Sequence, residues 1–151
     1  MDDSLLPILM ENRLLQGLTD TQLRQVLALV KCEEFAVGIS IIRQSEPPQR
    51  VYLIAEGRVQ VRRSLPGEAP GEVVELGPGS FFGEMAVIVN ATRHSASVVS
   101  LTPVKVLSLA ARDFTTLLNE HPETIRNILS GTVLQLQGLN KRWLETLRVE
   151  K

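Results

Sequence analysis

The chain is poor in the residues that most often carry chemistry. It has one cysteine, two histidines, one tryptophan and one tyrosine in 151 residues. A single cysteine cannot close an internal disulfide, and Cys32 reads as a small buried apolar residue rather than a redox group. Two histidines are too few for a metal centre built from several convergent imidazoles. One of them, His121, precedes Pro122 and reads as a helix boundary. Neither charge is in excess: 16 basic residues against 17 acidic ones leave a net charge of −1. No general attraction to nucleic acid or to an anionic membrane follows from that balance. No apolar run is long enough to span a bilayer, and the acidic opening MDDSLLPILMENR, broken by Pro7, is not a signal peptide. There is no Walker loop, nucleophile elbow or Cys-x-x-Cys pair. The expectation is a protein without catalytic or metal sites and without cofactor, in a reducing, cytoplasmic setting.

What the chain does have is a texture that changes along its length, consistent with one domain over 1–151. Residues 1–34 read as N-terminal helices. Leu5, Leu6, Ile8 and Leu9 form a short amphipathic piece, and Thr19-Asp20-Thr21-Gln22 has the form of a capping box before Leu23, Val26, Leu27 and Val30. From 35 to 110 the period becomes two. The runs 39-ISIIR-43, 51-VYLIA-55, 58-RVQVRR-63, 72-EVVEL-76, 96-ASVVS-100 and 104-VKVLSL-109 are separated by Gly, Pro and Ser clusters. Many short strands at this spacing predict a sandwich or rolled barrel, with 65-LPGEAPG-71 as a solvated loop. Residues 111–151 return to helical spacing. Pro122 suits the first turn of a final helix from about 123 to 149, which at 1.5 Å per residue is roughly 40 Å long. Its apolar positions include Ile125, Leu129, Val133, Leu136, Trp143 and Leu147, with Asn140 filling a gap. A second copy of the same helix is the simplest cover for that stripe, which predicts a homodimer through residues 123–149.

The stretch 80-SFFGEMAVIVNATRHSASVVS-100 stands apart. It sets a glycine, a carboxylate, a cation and several small residues between two apolar strands. With its lead-in, residues 76–87 read LGPGSFFGEMAV, close to an L-x-x-G-x-x-F-G-E-x-A pattern. Together with Gly38, Glu56-Gly57 and the Ser95-Ala96-Ser97-Val98 tail, this resembles the cyclic nucleotide-binding domain family over nearly the whole chain. One departure is Ser45, where the family usually has a turn glycine. The resemblance implies a mainly β fold with flanking helices: a double-stranded β-helix, or jelly-roll-like β-roll, between N-terminal helices and a long C-terminal helix. It implies a regulatory sensor for cAMP or cGMP that signals through its C-terminal helix. The alternative is a degenerate domain of the same fold that binds no nucleotide and serves as an interaction or dimerisation module. The final segment, with five basic and three acidic residues in 123–151, is not a DNA-reading domain.

A cyclic nucleotide presents a ribose hydroxyl, a singly charged phosphate and a flat base. A carboxylate is the natural acceptor for the hydroxyl proton, and the resemblance gives that role to Glu84. Gly83 permits close backbone approach, and Gly83, Glu84, Met85 and Ala86, opening a helical turn, can aim N–H groups at the phosphate. The family's phosphate-pairing arginine falls on His94 when counted back from Ser95-Ala96-Ser97-Val98, or forward with the family's longer loop. Counted forward with the shorter loop it falls on Arg93. Ser95 can donate a hydroxyl to phosphate or base, Ala96 follows it, and Val61 and Val73 match positions that line the base.

Overall fold

The computed structural model describes residues 3–63 and 73–130. Among the described residues eight strands form two antiparallel four-stranded sheets. They are β1 (Lys31–Phe35), β2 (Ser40–Ile42), β3 (Arg50–Glu56), β4 (Val59–Arg62), β5 (Val73–Leu76), β6 (Phe81–Phe82), β7 (Ser97–Ser100) and β8 (Val104–Ala110). One sheet runs β1-β8-β3-β6 and the other β2-β7-β4-β5. Apart from the β4–β5 hairpin, successive strands alternate between the sheets, which is jelly-roll topology. The expected mainly β roll with flanking helices is what the chain forms.

The central pair β3–β8 is buried on both faces. Val51, Leu53, Leu107 and Leu109 point outward into a core shared with the helices, where they meet Leu9, Leu14, Leu23, Val26 and Phe114. Ile54, Val104 and Val106 point inward and pack with Ile42, Val59, Phe82 and Val98 of the inter-sheet core. A strand covered on both sides reads as a near-continuous apolar run, and 104-VKVLSL-109 has that character. Each fully buried Leu or Val contributes about 1.5–3 kcal/mol relative to exposure.

The helices that cover this sheet are α1 (Leu6–Glu11) and α2 (Asp20–Leu27), then α4 (Ala111–Glu120) after β8. The expected capping box forms at α2: Thr19 Oγ1 accepts from the Gln22 N–H at 3.2 Å and Gln22 Oε1 accepts from the Thr19 N–H at 2.8 Å. His121 closes α4, and residues 122–130 are helical from Pro122 onward. In that last helix Thr124 and Ile128 are buried, while Ile125 and Leu129 are exposed. Asn127 Nδ2 donates to the carbonyls of Leu14 and Gln16 at 2.8 and 2.9 Å, tying it to the N-terminal turn. The predicted continuation to 149, with Asn140, Trp143 and Leu147, and the predicted loop at 65–71 lie outside the described residues.

Two sequence expectations are corrected. The stretch predicted as helical to residue 34 turns into β1 at Lys31. KCEEF has no strong alternation of its own, and it becomes an edge strand because β8 offers it a complete register from Lys31↔Ser108 to Phe35↔Val104. Cys32 is exposed on that edge rather than buried.

Ser45, at the departure from the family pattern, has φ +81°. The turn therefore keeps a left-handed conformation that glycine adopts freely and an L side chain does not. Ser45→Gly is expected to stabilise the domain by about 1 kcal/mol, read as a higher midpoint in urea at unchanged slope. A lower midpoint would mean that the Ser45 side chain contributes more than its backbone conformation costs.

Candidate functional site

The site is built where β6 ends. Phe82 enters the inter-sheet core and stacks on Tyr52 with centroids 5.0 Å apart. The chain must then leave the sheet at once, and Gly83 makes that turn at φ +88°. A Cβ at Gly83 would stand 3.0 Å from Ile42 Cδ1 and 3.1 Å from the Arg50 carbonyl oxygen. Both the conformation and the packing favour glycine there. The short helix α3 (Glu84–Ile88) starts at the next residue, with no side-chain cap from Gly83.

Glu84 is thereby held half-buried in the first turn of α3. Burial pushes its carboxyl up to about 7, against the lowering effect of its own backbone N–H. No cation is paired with it among the described residues. A desolvated carboxyl without a counter-charge is an acceptor whose partner has not been supplied by the protein itself. Of its neighbours on α3, Ala86 is buried against the roll, while Met85 is exposed.

After α3 the chain returns to β7 through a loop closed by the Ala91 N–H to the Ala86 carbonyl at 2.8 Å. Arg93 is exposed and His94 half-buried. The His94 N–H donates to the Glu46 carbonyl at 2.8 Å and its carbonyl accepts from the Ser45 N–H at 3.0 Å, so the left-handed turn at Ser45 holds this residue in place. Burial lowers the His94 imidazole below its ordinary value and outweighs the opposing pull of Glu46. His94 is therefore mostly neutral at pH 7. Ser95 is exposed and Ala96 half-buried at the entry to β7.

The register of β4 decides which side chains line the roll. Val61 pairs with Val74 on β5 and with Val98 on β7. Directly opposed residues share a face, and Val98 lies in the inter-sheet core against which Val61 packs. Val61 thus faces the roll interior. Val73 pairs with Arg62 and is 41% exposed on the outer face. The expectation for Val73 is corrected: the inward valine of β5 is Val74, because pairing with β4 sets the parity of this strand. The same alternation points to a residue that sequence reasoning passed over. Arg63, exposed one residue beyond β4, continues the spacing of Val59 and Val61, and its Nη2 lies 3.5 Å from Ser95 Oγ. The period-two reading of 58-RVQVRR-63 contained that signal.

The structure so brings together Gly83, Glu84, Met85 and Ala86 on one turn, and His94, Ser95 and Ala96 on the returning loop. Among the described residues no three His, Cys, Asp or Glu side chains converge as metal ligands. The family profile of the cyclic nucleotide-binding domain matches residues 32–121, and the chain belongs to that family. It is 38% identical over 125 residues to a cyclic nucleotide-gated potassium channel of Mesorhizobium japonicum, covering 83% of this chain and 33% of the channel. The fold matches the catabolite activator protein of Thermus thermophilus with a TM-score of 0.74 at 26% identity, over 87% of this chain and 61% of that one. It also matches a mutant regulatory subunit of a cAMP-independent protein kinase A from Trypanosoma brucei, bound to cAMP in its A site. There the TM-score is 0.75 at 28% identity, over 86% of this chain and 46% of that one. The chain spans about a third of the length of the potassium channels it matches first.

The elevated Glu84 value has a consequence for stability. The folded state keeps a proton that the unfolded chain releases above 4.5. Stability therefore falls as pH rises from that value through about 7. Glu84→Gln removes the loss, so its melting temperature should gain on wild type from about pH 5 to about pH 8. Parallel melting curves across that range would mean that Glu84 titrates as an ordinary exposed carboxylate.

Proposed function

We propose that this chain is a regulatory sensor domain that binds a cyclic nucleotide, cAMP or cGMP, between α3, the loop returning to β7 and the inward face of β4 and β5. The observation that carries the reading is Glu84: a half-buried carboxyl, placed by a glycine whose left-handed turn and close packing disfavour a side chain, with no cation paired to it among the described residues. Its carboxylate accepts the ribose hydroxyl proton, an arrangement stronger than a neutral pair. Backbone N–H groups around Glu84, Met85 and Ala86 meet the phosphate, together with Ser95 and Ala96. Val61 and Val74 pack against the base. The function is binding and regulation rather than catalysis, and we place it in the cytoplasm, without DNA binding by this chain. No helix of the described residues is long and apolar enough to cross a membrane.

Of the two candidates for the phosphate-facing position, the half-burial of His94 beside Glu46 supports His94, and the exposure of Arg93 argues against its use. The site then lacks the fixed charge of an arginine at this position. Signalling passes through the C-terminal helix, which Asn127 ties to the N-terminal turn. The exposed Ile125 and Leu129, one turn apart on the same face, support a two-fold pairing through residues 123–149. Residues 131–149 lie outside the described part of the chain.

Saturating cAMP or cGMP is expected to raise the melting temperature, and Glu84→Gln to abolish the shift. No shift at millimolar nucleotide would leave the fold as an interaction or dimerisation module. His94→Arg should tighten binding at neutral pH by about tenfold, while Arg93→Ala changes it little, as read by calorimetric titration. The reverse pattern would assign the phosphate to Arg93. For assembly, light scattering should return a dimer for wild type and a monomer for Leu129→Glu/Leu147→Glu. A wild type that stays monomeric at high micromolar concentration ends the dimer proposal.

A further inference from the structure

We propose that Arg63 supplies the guanidinium that meets the ligand's phosphate, in place of the arginine that the returning loop lacks at His94. The inference rests on the sensor reading above and deepens it. Arg62 and Arg63 are adjacent in sequence but are directed apart. Arg62 lies opposite Val73 on the outer face, where its Nε bonds to Gln60 Oε1. Arg63 is exposed one residue beyond the β4 ladder, at the spacing of Val59 and Val61, both of which pack in the roll interior. From there its Nη2 comes within 3.5 Å of Ser95 Oγ, across from the end of β4 to the loop that follows α3.

That position matters because of what surrounds it. Ser95 is the residue after His94, on the loop that together with the start of α3 forms the phosphate end of the proposed site. His94 is held by backbone bonds to Ser45 and Glu46, and burial favours the neutral form of its imidazole at pH 7. Arg93 is exposed. A phosphate diester carries a permanent charge, and burying it against neutral donors alone is costly. A guanidinium is charged at every relevant pH and offers a planar fork of donors that fits phosphate oxygens. Among the described residues no carboxylate is paired with Arg63. Its present contact, with a serine hydroxyl at the limit of hydrogen-bond distance, is weak enough to exchange for a phosphate oxygen.

Calorimetric titration of wild type, Arg63→Ala and Arg63→Lys with cAMP and with cGMP tests this, at low and at physiological salt. Arg63→Ala is expected to weaken both nucleotides to the same degree, by about tenfold or more, and to flatten the dependence of affinity on salt. Arg63→Lys should recover part of the affinity, since it keeps the charge and loses the fork. The melting temperature without nucleotide should stay unchanged, because the side chain is exposed and joins no core. Affinities within twofold of wild type for Arg63→Ala, with wild type binding normally, would overturn the proposal and leave the sensor reading intact. A loss confined to one of the two nucleotides would also overturn it, and would place Arg63 against the base. If wild type binds neither nucleotide, the sensor reading fails, and this inference fails with it.

Discussion

Pairing of β3 with β8, buried on both faces, is the constraint from which the rest of the structure follows. These strands are the floor for the helices and the ceiling of the inter-sheet core at once. A one-residue slip of β3 would put Tyr52 where Leu53 now meets the helices, and a slip of β8 would put Ser108 where Leu107 now stands. Ser108 is itself fully buried, and its hydroxyl is satisfied only in this register: Arg50 Nε donates to it at 2.8 Å, and it donates to Glu33 Oε2 at 3.0 Å. A buried hydroxyl without those partners would cost about 1–3 kcal/mol. Apolar packing and polar satisfaction therefore select the same alignment.

That alignment reaches the site through short, specific links. Ile54 of β3 exchanges hydrogen bonds with the turn before β6, its N–H going to Ser80 at 2.9 Å and its carbonyl receiving the Gly79 N–H at 3.1 Å. From the helix side, the buried Asn12 donates to the Ser80 carbonyl at 3.0 Å and the Arg13 N–H to the Gly79 carbonyl at 2.9 Å. The turn is thus clamped between the sheet and the N-terminal helices. Two residues of β6 then fix where Gly83 falls, and Gly83 fixes where Glu84 falls. The same N-terminal turn receives Asn127 from the last helix. The element proposed to signal and the element proposed to bind thus rest on one small polar hub.

The electrostatics of the site consist of displaced protonation. Glu84 is a carboxyl with no cation paired to it among the described residues, and His94 is an imidazole whose neutral form burial favours. Neither group is at its ordinary value, and the cause in both is desolvation rather than a strong charge partner. On the returning loop the half-buried position falls to His94, while the fixed charge of Arg93 stands exposed. One residue beyond β4, the Arg63 guanidinium reaches Ser95 of that loop.

The period-two runs, the turn glycines and the 76-LGPGSFFGEMAV-87 stretch were enough to read a β-roll and to single out Gly83 and Glu84, because each of these is a local property. Strand alternation, a left-handed turn and a motif of fixed spacing survive without knowledge of what packs against them. The capping box at Thr19 and the boundary at His121-Pro122 were legible for the same reason. β1 was not, because KCEEF becomes a strand only through its pairing with β8. The inward valine of β5 was not, because parity on a short strand is set by its neighbour's register, which exchanged Val73 for Val74. Nor could spacing choose between Arg93 and His94: the half-burial that distinguishes them comes from the backbone bonds of Ser45 and Glu46, some fifty residues away in sequence. What the residues determine by themselves is the repeating pattern and the motif. Which side chains face one another, and what their burial does to their charge, is decided only when distant strands meet.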